Sequence, residues 1–222
     1  MATDALVAPA NKGRKLPPEL LTPEEVRALL GACSTTAPTG IRNRALVVVL
    51  YRAGLRLDEA LALIPADVDV ADGVIHVGRR TRGLGGVPPT TAAGAAPDSM
   101  HVREAGIDAG ALGFVRKWLR TRASLGVGAD APLFCTLAGG RVHPAYVRQL
   151  LPRLAEKAGI DKRVHAQGLR FTHAAELAAE GMPAELIQAQ LGHETLASTD
   201  RYLRRMSGAD RLDALQRREW KP

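Results

Sequence analysis

The chain has 222 residues, 46% apolar but only 4% aromatic, enough for one medium domain or two small ones with a core mainly of Leu, Ala and Val. Its formal charge of +7 suits a polyanionic partner. No apolar run approaches the roughly 20 residues of a membrane helix and the N-terminus has no apolar signal segment; Cys33 and Cys135 lie far apart without metal-ligand spacing, as idle thiols of a reduced cytoplasmic protein do.

Lysine occurs only at Lys12, Lys15, Lys117, Lys157, Lys162 and Lys221, and every other cation is arginine. Arginine is the better residue for bidentate phosphate contacts. A codon bias toward Arg and Ala gives the same skew.

Residues 1–20, with Lys12, Arg14, Lys15 and three prolines but no periodicity, predict a flexible basic arm. Thr22-Pro23-Glu24-Glu25 is a helix start with capping-box spacing, followed by Val26, Leu29 and Leu30 as an apolar face. Gly40 opens a second helix, Ile41 to Ala53, closed by Gly54. Arg56 then emerges at the mouth of a third, with Glu59 one turn on, placed to orient it or to cap nearby amides. Pro65 ends that helix and the pattern turns to period two, a hairpin from Val68 to Val77 around Asp72-Gly73.

Arg79, Arg80 and Arg82 follow as candidate contacts for a polyanionic partner, then a Gly-, Pro- and Thr-rich loop, Gly83 to Ser99, and a returning strand within Met100 to Ile107. A helix runs from Asp108 to Arg122. Leu133-Phe134 and the Gly139-Gly140 turn form a short extended segment, and a helix over 144–158 carries Pro152, which predicts a kink or break. Three short helices follow: one holding Arg170 and ending at Gly181, one closing at Leu191-Gly192-His193, and one starting at the cap-like Ser198-Thr199-Asp200 and carrying Tyr202. Ala209 to Glu219 is a last helix, with Leu212, Ala214 and Leu215 on one face.

An arginine, a histidine and a tyrosine on successive short helices suit a phosphodiester: a planar cation for two oxygens, a second donor, and a hydroxyl nucleophile. Gln167-Gly168-Leu169-Arg170, Leu191-Gly192-His193 and Tyr202, with the upstream Gly54-Leu55-Arg56-Leu57-Asp58-Glu59, resemble in order and spacing the catalytic block of the tyrosine recombinases, the phage integrase family.

That resemblance implies an α+β, mainly α-helical catalytic domain over 21–206 with a small antiparallel sheet on one edge, a tail helix within 207–222, and no room for the family's usual N-terminal clamping domain. It implies site-specific strand cleavage and rejoining on double-stranded DNA through a 3′-phosphotyrosyl link, with no cofactor or metal. Arg56, Arg170, His193, Gln167 and Tyr202 are then the catalytic set, working in a tetrameric synapse with or without a partner protein. The setting is cytoplasmic, at the nucleoid, with no membrane partner.

Two positions depart from the pattern. Gln167 stands where the family has histidine, and no lysine occurs between Lys15 and Lys117, where relatives place a catalytic one. Arg79, Arg80 or Arg82 is the substitute for the lysine, and His165 the nearest imidazole for the histidine. The alternative reading is a DNA-binding accessory protein on the recombinase fold with little or no cleavage. His76, His101, His143 and His173 are given no role, and Tyr51 and Tyr146 are read as core.

Overall fold

The computed structural model describes residues 19–78 and 103–203, the last three by backbone alone. The expected arm up to residue 18, Arg79, Arg80, Arg82, the Gly83–Ser99 loop, His101 and the tail helix lie outside the described residues.

Among the described residues one long apolar helix is accompanied by seven others, and a three-stranded sheet closes one edge. α1 (Pro23–Gly31) starts at a full capping box, Thr22 with Glu25. α2 (Pro38–Arg52) is buried on nearly every face, from Ile41 to Tyr51, and packs between α4 (Ala109–Ser124) and α6 (Ala166–Ala179). A helix apolar all round belongs in a core. It begins at Pro38, two residues before the expected Gly40, because proline at the first helical position has no amide to leave unpaired.

Gly54, with φ of +62°, turns the chain into α3 (Leu57–Ala62). No other residue fits there. A Cβ would stand 2.6 Å from the His173 ring, and the left-handed backbone is itself costly for L side chains.

A 3-10 turn (Pro65–Asp67) leads to β1 (Val68–Asp69), β2 (Val74–Val77) and β3 (Arg103–Gly106), antiparallel in that order. Val77 opposes Arg103 and His76 opposes Glu104. The hairpin and its returning strand are where the sequence puts them. The sheet is anchored by Gln190 of α7 (Ala184–Leu191), whose side-chain amide accepts from Gly106 N–H and donates to Gly106 C=O, both at 2.9 Å.

The Leu133-Phe134 segment is buried but bends rather than running extended, and only Cys135 pairs, bridged to Arg141 across the Gly139-Gly140 turn. α5 (Pro144–Lys157) runs uninterrupted through Pro152, contrary to the expected break. His143 caps its start, accepting from the Ala145 amide. α8 (Leu196–Leu203) starts two residues ahead of the expected Ser198. Thr195 is the residue that caps it, its Oγ1 accepting from the Ser198 amide. Tyr51 is core as expected, but Tyr146 is not. It is 37% exposed, its hydroxyl bonded to Arg42 and Asn43.

Candidate active site

The site is assembled at the joint of α3, β3, α6 and the α7–α8 turn. Its centre is Glu59. The first turn of α3 needs acceptors for its open amides, and Glu59 Oε2 accepts from Arg56 N–H at 2.7 Å while Oε1 takes Arg56 Nη1 at 3.1 Å. The carboxylate thus both orients the arginine and caps the amide.

Two further guanidiniums reach the same carboxylate. Arg103 Nη2 donates to Oε2 at 2.7 Å, and Arg170 Nη1 lies 3.8 Å away. Three guanidiniums are thus gathered on one carboxylate, and these four side chains together carry a net charge of about +2.

Arg170 is the floor. It is only 1% exposed, and its Nη1 and Nη2 donate at 2.6 Å to Gly54 C=O and Leu191 C=O. One side chain therefore joins the turn before Arg56 to the turn before His193. Burial of a charge is tolerated only with such bonds. Arg56 is the opposite case, with 47% of its side chain open to solvent.

His193 follows Gly192, which ends α7 in the left-handed conformation at φ of +64°. The His193 ring Nδ1 is 3.0 Å from Thr199 Oγ1, and its backbone is held at both ends by Gln188. Thr199 is fully buried, so a residue of the cap-like Ser198-Thr199-Asp200 stretch lies inside α8 and fixes the imidazole. Burial, then the charges of Arg170, Arg56 and Arg103, push His193 down to about pKa 4. It is neutral near pH 7.

Tyr202 lies on α8 three residues beyond Thr199. Gln167 sits exposed at the second residue of α6. His165 is not available in the place of the missing histidine. It is the N-cap of α6, its Nδ1 accepting from the Gly168 amide at 2.9 Å, beside Arg163. Burial and Arg163 keep its pKa below the ordinary value.

An open cleft of about 950 Å³ lies against this cluster, lined by His76, Arg103, Glu104, Glu185, Gln188 and His193 among others. Arg56, Arg170, His193 and the helix of Tyr202 are thus brought to one place, as their motifs predict. Arg103, Gln190 and Thr199 belong to the same structure and were invisible as site residues in the sequence. Among the described residues no three His, Cys, Asp or Glu side chains cluster as metal ligands, and no helix is long and apolar enough to cross a membrane.

Fold and site together define a class. The profile of the phage integrase family matches residues 19–207, and the chain belongs to that family. The tyrosine recombinase XerC of Halalkalibacterium halodurans is 32% identical over 202 residues, which are 91% of this chain and 63% of that protein. XerC of Xanthomonas axonopodis pv. citri is 33% identical over 198 residues, 89% of this chain and 57% of that one. The crystal structure of XerA recombinase matches with a TM-score of 0.73 at 25% identity, covering 97% of this chain and 71% of the other. That of XerH site-specific recombinase bound to palindromic difH substrate, a post-cleavage complex, matches at 0.68 and 23%, covering 91% of this chain and 54% of the other. The mainly helical α+β reading of the sequence is therefore the fold, and the chain spans about 60% of the length of the curated relatives it matches.

Proposed function

We propose that the chain is the catalytic part of a tyrosine-type site-specific DNA recombinase. The observation that carries this is the convergence of Arg56, Arg170 and His193 around Glu59, with Tyr202 on the helix whose Thr199 holds His193.

On this reading a scissile phosphate of double-stranded DNA enters the net positive site. Arg56 donates to a non-bridging oxygen, and Arg170 beneath it supplies charge and rigidity as the pentacoordinate phosphorus gains negative charge. When Thr199 donates to Nδ1 of the neutral His193, Nε2 carries the hydrogen and donates to the phosphate as well. Tyr202 Oη attacks phosphorus and the bond to the 5′-oxygen breaks. The phenol loses a proton and the leaving oxygen gains one. A phosphodiester is exchanged for a phosphotyrosyl ester, so the 5′-hydroxyl of another strand reverses the step.

Gln167, in the family's histidine position, donates or accepts one hydrogen bond but moves no proton at neutral pH. Arg79, Arg80 or Arg82 stabilises the leaving oxygen by charge, since arginine holds its proton with a pKa above about 12. The loss of acid–base help makes the step slower by roughly 10²–10⁴-fold than with a tuned lysine and histidine. The enzyme works on cytoplasmic DNA in a tetrameric synapse, and integration or excision of a mobile element is the biological setting.

Those same two replacements favour the second reading, DNA binding without cleavage. A denaturing gel for covalent protein–DNA adducts on nicked duplexes from DNA flanking the gene decides between them. Recombinase activity gives an adduct that Tyr202→Phe abolishes. Salt-sensitive binding with no adduct in the wild type gives the accessory protein.

A further inference from the structure

Arg103 is a cleft residue that no motif of the sequence accounts for. It opens β3 and spans two elements of the site at once. Nη2 donates to Glu59 Oε2 on α3 at 2.7 Å, and Nη1 donates to Gln190 C=O in the last turn of α7 at 2.8 Å. The Leu-Gly-His turn is built around this side chain. A Cβ at Gly192 would stand 2.3 Å from Arg103 Cδ and Nε. Between the clamped Gln190 carbonyl and the His193 ring there is little slack, because the Gly192 amide bonds to Ala189 C=O and the His193 amide to Gln188 C=O.

Resting on the recombinase reading above, we propose that Arg103 is a positioning residue. Fitted against Gly192, it fixes His193 over the Arg56–Glu59–Arg170 cluster and ties that position to the paired strands β2 and β3. The strand pair is held to the same helix a second time by Gln190, whose side chain also reaches Ala53 C=O at 3.2 Å. A displacement of β3 is thus transmitted to the turn bearing His193 rather than absorbed in the sheet. Lysine cannot replace the fork. It offers one nitrogen, whereas the two acceptors lie on different helices and are met by different arginine nitrogens.

The test compares wild type with Arg103→Lys, Gly192→Ala, Arg103→Ala and the double Arg103→Ala/Gly192→Ala in the full chain. Adduct formation on a nicked duplex is measured beside DNA affinity and the NMR titration of His193 without DNA. Arg103→Lys keeps the charge, so the His193 midpoint and DNA affinity stay at wild-type values while adduct formation slows by about 10²-fold. Gly192→Ala slows it comparably. The double variant is no slower than the slower single, because both changes break one fitted pair.

A wild-type rate in Arg103→Lys overturns the proposal, as does additive slowing in the double. If the wild type forms no adduct, the recombinase reading falls and DNA-free amide exchange decides the positioning role alone. Exchange at Gly192 and His193 then rises about tenfold or more in Arg103→Lys while Val48 and Val49 in the core stay protected. Unchanged exchange at the turn overturns it.

Discussion

Glu59 holds Arg56, Arg103 and Arg170 together, yet it carries the sign a phosphate would repel. Its removal therefore separates binding from chemistry. Glu59→Gln keeps the shape and deletes one negative charge beside the site. DNA affinity at low salt is expected to rise, while adduct formation falls by about 10-fold or more as the three guanidiniums lose their common anchor. Filter binding and the adduct gel, run on one preparation, check the opposite signs. Arg56, Arg170 and His193 were legible because each sits in a short motif of the sequence, whether its partners are near, as Glu59 is to Arg56, or remote, as Gly54 is to Arg170. Arg103 was not, since its partners Glu59 and Gln190 are 44 and 87 residues away in the chain. Nothing local marks an arginine as bridging two helices. Thr199 was passed over within the cap-like Ser198-Thr199-Asp200 stretch for a related reason: only the fold reveals that it meets a histidine six residues back.

Among the elements, α6 carries a buried histidine whose titration opposes the fold. His173 is 3% exposed, packed on Gly54, and burial, then Arg52 and Arg170, push it down to about pKa 4, with Asp108 pulling the other way. The unfolded chain takes up the proton near pH 6.5, the folded chain only near 4, so stability is complete above about 6.5 and is lost as pH falls toward 4. Chemical denaturation at pH 7 and pH 4.5 is expected to show a loss that His173→Leu reduces. The site-specific part is at most about 3 kcal/mol. The turn that His173 packs against gives a sharper prediction. Gly54→Ala forces a Cβ into the imidazole at a left-handed φ, and costs about 2 kcal/mol or more; thermal unfolding checks it. Element types came through from periodicity, while boundaries at Pro38 and Thr195 slipped by two or three residues. There the start is set by which residue can satisfy or dispense with the open amides, and several neighbours qualify.

For the molecule as a whole, the +7 charge acquires a meaning that composition alone did not give it. Net charge alone says nothing of placement, but Arg103 lines a cleft and shares the Glu59 carboxylate with Arg56 and the buried Arg170. A duplex gripped by such a surface is bound largely by release of its counterions, so affinity must fall steeply with salt. With about six contacts, binding is expected to weaken roughly 10³-fold between about 50 and about 200 mM salt. Arg56→Ala should lower the slope of log affinity against log salt by about 1, since one phosphate partner is lost. Tyr202→Phe should leave the slope unchanged, because the phenol contributes no charge to the encounter. A slope near zero in the wild type would mean that the +7 charge does not act on DNA, and both functional readings would fall together.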